Sequence, residues 1–223
     1  MKAMLRAIKR RLATDSRYTP YYNRLQWWLR GRRYATREIS ACHQCMYQEL
    51  AHLCLQEQPA MLLEFGCGDA YLLRQIHARN PGTQLFGCDF SQTQLKEAQK
   101  LLPEANLQYQ DIRSTTYDNR AFGVAIGVSV LMYLSPRDLV RALTELRRIS
   151  DTVISVEMDC RYLSKEKIEA FRRVADGRFD HDYEKGFSDA GFKNIQSRRI
   201  DAFYDPQINT LKEMGFGMIV ARG

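Results

Sequence analysis

Glu64, Gly66 and Gly68 stand at alternate positions where an apolar run ends, inside the stretch from Leu62 to Leu73. A buried parallel strand reads as a continuous apolar run. Met61 to Phe65 fits that description apart from Glu64, which we read as a functional acid at the strand tip. Glycine has no Cβ, so Gly66 and Gly68 let the backbone turn sharply and come close to a ligand, and a helical pattern resumes from Ala70 to His77. A second apolar run, Gln84 to Cys88, ends at Asp89, 21 residues beyond Gly68. An acid at that distance reaches a ribose hydroxyl in a nucleotide-binding βαβ unit, so the chemistry expected here is capture of a nucleoside.

Two cofactor classes share that grammar. A dinucleotide fingerprint wants a third glycine at position 71, where this chain has Tyr71, and has no acid two places before its first glycine. Glu64-x-Gly66-x-Gly68 instead resembles motif I of the class I S-adenosylmethionine-dependent methyltransferases. The resemblance implies that the glycines face the amino-acid end of the cofactor and that Asp89 binds the ribose hydroxyls. It also implies that an acid after the third strand, Asp111 in the run from Leu107 to Ile112, faces the adenine amine. It continues through Phe122 to Leu134, Thr152 to Glu157, Asp189 to Phe192 and Phe216 to Ala221, and so covers residues 60–223. The cofactor-binding set it implies is Glu64, Gly66, Cys67, Gly68, Asp89, Phe90, Asp111, Ile112, Gly127 and Val128. Phe90 packs either on the adenine face or in the core, and Cys67 needs only to be small and apolar.

Departures from the family pattern are local. The third small residue of the loop is Ala70 rather than glycine, a change that a helix N-terminus accommodates, and Phe122-Gly123 stands where Phe-Asp often opens the fourth strand. No Asn-Pro-Pro-Tyr-like tetrapeptide follows that strand, which leaves the acceptor open between oxygen and nitrogen, on a small molecule or on a lipid- or glycan-linked one. A base that deprotonates such an acceptor belongs near the exits of the fourth and fifth strands. The chain offers Tyr133, Glu157, Asp159 and, more remotely, His181.

A length of 223 residues suits one α/β core with a modest extension. The expected fold is a doubly wound, seven-stranded, mostly parallel sheet whose final strand is antiparallel, as the resemblance implies. Residues 1–58 form an N-terminal basic and aromatic helical segment and residues 59–223 the cofactor-binding domain. The formal charge of +7 is uneven, because residues 1–38 hold 11 Lys/Arg against 2 acids. That segment carries an amphipathic helix over residues 1–13, both tryptophans (Trp27 and Trp28) and an arginine cluster at Arg30, Arg32 and Arg33. It reads as a lid over the acceptor, as a contact with an anionic membrane surface, as an RNA contact, or as plain packed helices with a solvated arginine face. Nucleic acid ranks last, because no recognisable RNA-binding module accompanies the segment.

Six cysteines without an export signal, and no run of 18 apolar residues, point to a reduced cytoplasmic protein, at most peripheral to the membrane. Cys42, Cys45, His52 and Cys54 have some zinc-ligand spacing, but they fall along one amphipathic helix from Ile39 to Gln56, where four ligands do not close tetrahedrally; no metal is expected. Two rivals remain. A nicotinamide oxidoreductase is weakened by Tyr71. A non-catalytic adaptor that uses its basic arm for membrane or RNA has no physical need for the acids at positions 64, 89 and 111.

Overall fold

The computed structural model describes residues 41–166, 168–169, 177–200 and 215–223. The basic segment of residues 1–38, the start of the helix expected from Ile39 and the Cys42 side chain lie outside the described residues.

Seven strands form one sheet in the order β3-β2-β1-β4-β5-β7-β6. They are β1 (Met61–Phe65), β2 (Gln84–Asp89), β3 (Asn106–Tyr109), β4 (Phe122–Val128), β5 (Ser150–Met158), β6 (Asn194–Arg199) and β7 (Phe216–Arg222). The first five are parallel, and β7 inserts antiparallel between β5 and β6. The central strands are apolar on both faces, as Phe122–Val128 shows, because helices cover both sides. One face carries α1 (Ala41–Gln56), α2 (Tyr71–His77) and α3 (Gln92–Leu101), with a core that includes Met46, Leu50, Leu72, Ile76 and Ala98. The other carries α4 (Pro136–Ile149) and α5 (Tyr183–Asp189), with a core that includes Phe65, Leu143, Leu146, Tyr183 and Phe187.

The helix starts follow their capping chemistry. Ser135 accepts the Asp138 N–H at 3.2 Å ahead of a proline in the first turn of α4, and Ser91 accepts the Gln94 N–H at 3.4 Å at the start of α3. Strand order reverses between β1 and β4, so the carboxyl ends of β1, β2 and β4 flank a crevice of the kind in which open α/β sheets bind ligands. Among the described residues no helix is long and apolar enough to cross a membrane, and no group of three or more His, Cys, Asp or Glu side chains is arranged to hold a metal ion.

Candidate cofactor site

The turn from β1 into α2 places three alternate residues in the left-handed region: Gly66 (φ 64°), Gly68 (φ 53°) and Ala70 (φ 59°). Ala70 is therefore more than a small residue at a helix start. It sits, fully buried, in a conformation that glycine adopts freely and alanine at a cost of about 1–2 kcal/mol. The turn is tied to β2 by Cys67 N–H to the Cys88 carbonyl at 3.1 Å and by Gly68 N–H to Asp89 Oδ2 at 3.0 Å. Asp89 also accepts the Ser91 N–H on Oδ1 at 2.7 Å, so one carboxylate fastens both the glycine turn and the entry to α3.

The two glycines differ in what surrounds them. A Cβ on Gly66 would overlap the Val130 side chain, whereas one on Gly68 would meet nothing closer than the Gln94 amide nitrogen at 3.7 Å. Gly127 has a packing reason of its own, because the Phe65 ring occupies the space where its side chain would stand. Val128 is half-buried at the end of β4, packed against the core that α1 and α2 share.

Electrostatically the turn is an acceptor-rich place. Glu64 is buried, and burial raises its carboxyl well above the ordinary range; the neighbouring Asp69 pushes the same way, the Leu73 N–H opposes, Asp89 raises and Arg74 lowers. Among the described residues, Glu64 Oε2 has no hydrogen-bond partner, and neither has the buried Oε1 of Gln94. Burial lifts Asp89 to about 6 against the Gly68 and Ser91 N–H bonds. Burial likewise raises the Cys67 and Cys88 thiols, which disfavours their thiolates and any nucleophilic role. Gln94 was not singled out by sequence; its position three residues after the Ser91 cap, on the inner side of α3, was the available signal.

The other expected residues are distributed as follows. Phe90 is half-buried directly after Asp89, and Ile112 is buried with Leu63, Phe65 and Cys88. Asp111 is clasped by Arg113, with Nε to Oδ1 at 2.9 Å and an Nη2 to Oδ2 contact of 2.6 Å, while Arg113 Nη1 reaches Asp138 at 3.0 Å. Asp111 thus stands beyond β3 with its carboxylate already oriented by a guanidinium.

The acids at the β5 end have protein partners of their own. Glu157 is fully buried and accepts the N–H groups of Val130, Leu131 and Met132 and the Ser155 hydroxyl. Asp159 is buried, caps the 3₁₀ turn Cys160–Tyr162 by accepting the Arg161 N–H at 2.9 Å, and is paired with the Arg161 guanidinium at 2.6 Å. Both candidate bases are therefore occupied as caps, because the carboxyl end of β5 is where two turns leave their N–H groups needing acceptors. His181 donates Nε2–H to the Leu134 carbonyl at 3.0 Å, lies beside the Phe179 ring, and is held below its ordinary pKa by burial. Tyr133 is half-buried in the 3₁₀ turn Leu131–Tyr133 after β4. Cys45 is exposed and Cys54 buried on α1, so these two thiols do not share an environment.

Residues 62–152 match the family model described as a methyltransferase domain. Among curated proteins none matches the chain in sequence. Solved structures share its fold at low identity. A proposed O-methyltransferase from Nostoc punctiforme PCC 73102 superposes with a TM-score of 0.64 at 17% identity, over 80% of this chain and 56% of that one, so this chain spans little more than half of its length. Geranyl diphosphate C-methyltransferase from Streptomyces coelicolor A3(2), in complex with Mg2+, geranyl diphosphate and S-adenosyl-L-homocysteine, gives 0.62 at 13% identity over 80% and 79%. The [4+2]-cyclase SpnF gives 0.60 at 18% identity over 78% and 80%. Residues 62–152 thus carry a methyltransferase domain, and the strand order is that of a Rossmann-like methyltransferase fold.

Proposed function

We propose that the crevice at the β1, β2 and β4 exits binds S-adenosylmethionine and that the protein transfers its methyl group to an oxygen or nitrogen of a small-molecule or lipid- or glycan-linked acceptor. The observation that carries this reading is the sign of the site. Asp69 and Asp89 both act on Glu64 across the glycine turn, and Glu64 Oε2 and Gln94 Oε1 are buried acceptors without donors among the described residues. Such a set repels a pyrophosphate and suits a ligand that brings a sulfonium, an ammonium and ribose hydroxyls. Bound there, the cofactor supplies an electrophilic methyl carbon.

The protein's own work is placement. The open side of Gly68 lets the ligand approach the backbone, Asp89 accepts from the ribose hydroxyls, Glu64 faces the amino-acid end, and Asp111, oriented by Arg113, lies toward the adenine. Cys67, Phe90, Ile112, Gly127 and Val128 complete the walls or their packing. Holding acceptor and methyl donor in line supplies much of the rate enhancement, so a dedicated base is secondary. With Glu157 and Asp159 acting as caps, Tyr133 and His181 are the remaining residues of the original set near the β4 exit.

Residues 1–58 serve as the acceptor-side segment, with residues 59–223 as the catalytic unit. The basic residues of 1–38 favour an acidic acceptor or an anionic membrane surface, which fits a cytoplasmic protein that is peripheral to the membrane. Calorimetric titration tests the cofactor reading: S-adenosylhomocysteine should bind one to one and nicotinamide dinucleotide should not, and preference for the dinucleotide would overturn it.

A further inference from the structure

The turn after β4 is held by a single carboxylate from β5. Residues 129–134 cross the carboxyl edge of the sheet, so that Leu131 packs into the core under α4 and α5 while Met132 packs into the core on the opposite face. Ser129 starts the crossing in the left-handed region (φ 58°), with its N–H on the Val156 carbonyl at 2.7 Å. The next three N–H groups converge on Glu157: Val130 at 3.2 Å and Leu131 at 3.0 Å on Oε1, and Met132 at 3.1 Å on Oε2. The Ser155 hydroxyl adds a fourth donor at 2.9 Å.

The held turn touches the cofactor loop. Val130 fills the space above Gly66 so closely that a Cβ on that glycine would overlap its side chain. On the other side the turn reaches the segment before α5, because the Met132 carbonyl accepts the Phe179 N–H at 2.7 Å and the Leu134 carbonyl accepts from His181 at 3.0 Å. A chain of contacts therefore runs from β5 through Glu157 and Val130 to the glycine turn.

We propose that Glu157 is a positioning residue: its carboxylate sets residues 130–132 and, through Val130, the seat of the Gly66 turn, so that cofactor affinity depends on a side chain that never touches the cofactor. This rests on reading that turn as the S-adenosylmethionine site. The chemistry requires a carboxylate, because the three N–H groups and the hydroxyl all bring hydrogens to it. An amide of the same shape would turn an NH2 toward at least one of them, leaving a buried donor unpaired.

The test uses the full chain with S-adenosylhomocysteine as the probe. In Glu157→Gln the affinity should fall tenfold or more by calorimetry. Hydrogen exchange at the amides of residues 130–132 and 66–68 should speed up while the amides of β2 keep their protection. Val130→Ala, which leaves the carboxylate and its bonds in place, should weaken the probe at least threefold, and the double variant should lose less than the product of the two, as coupled sites do. Wild-type binding with Glu157→Gln within twofold of it would overturn the proposal alone, as would strictly multiplicative losses. Should Glu157→Gln fail to fold, Val130→Ala decides, and retention of affinity within twofold refutes the coupling. No binding by the wild type would overturn the cofactor reading, and the proposal with it.

Discussion

Asp89 separates a residue kept for a ligand from one kept for the fold. Burial lifts its carboxyl from 3.8 to about 6 even though the Gly68 and Ser91 N–H groups donate to it. By proton linkage that displacement corresponds to at most about 3 kcal/mol against the ionised form in the folded, ligand-free protein, an upper bound because the side chain is half-buried and partly screened. The sign follows from the raised value. The contribution is fully present below 3.8 and is lost as pH rises through about 6, so near neutral pH the charge costs stability. Asp89→Asn removes that charge with little change of shape, but its NH2 must face either the Gly68 or the Ser91 N–H, a loss of about 1–3 kcal/mol that does not depend on pH. Relative to the wild type, the ligand-free variant should therefore gain up to about 3 kcal/mol between pH 4 and pH 8. Its affinity for S-adenosylhomocysteine should drop, because losing charge-assisted acceptance from a ribose hydroxyl costs roughly 1.5–3 kcal/mol per bond, or about 10- to 150-fold. Urea unfolding at the two pH values and calorimetry at pH 8 read both quantities. If the stability of Asp89→Asn relative to the wild type is the same at pH 4 and pH 8 and the variant binds within threefold of wild type, Asp89 is only a fastener of the turn and the reasoning fails.

Three further outcomes are expected. Gly68→Ala should cost about 1–2 kcal/mol from its left-handed backbone alone, while Gly66→Ala should cost about 1–3 kcal/mol more because its new methyl must displace Val130; equal urea midpoints would refute the difference in packing. Tyr183→Phe removes a buried hydroxyl that has no partner among the described residues, so stability should be unchanged or rise by up to about 1 kcal/mol, and a loss larger than that in thermal unfolding would show that the hydroxyl is bonded. Deleting residues 1–17 should leave S-adenosylhomocysteine affinity within a few-fold and reduce sedimentation with anionic liposomes, more so at low salt, since exposed charges are screened over about 8–10 Å at physiological ionic strength. Undiminished sedimentation would remove the membrane reading.

The part of this protein that its sequence determined by itself is the part governed by neighbours along the chain. Apolar runs marked β1 and β2, and the spacing from Glu64 through Gly68 to Asp89 marked the crevice, because strand period and glycine turns are local physics. The strand order was reachable only through the family resemblance, since nothing in Phe216–Arg222 itself says that it inserts between β5 and β6.

Tertiary structure alone decided which donors each acid meets. Glu157 and Asp159, from their place at the end of β5, were weak candidates for a base and could equally be paired acids; the backbone partners of Glu157 stand 25 to 27 residues earlier, at the exit of β4, and Asp159 is clasped by Arg161. The same holds for Gly127, whose missing side chain answers the ring of Phe65 on the adjacent strand, and for Gln94, whose unpaired oxygen acquires meaning only beside Gly68. A carboxylate's role depends on which donors the fold brings within 3 Å of it, and in a parallel sheet those donors come from strands and turns that are distant in sequence.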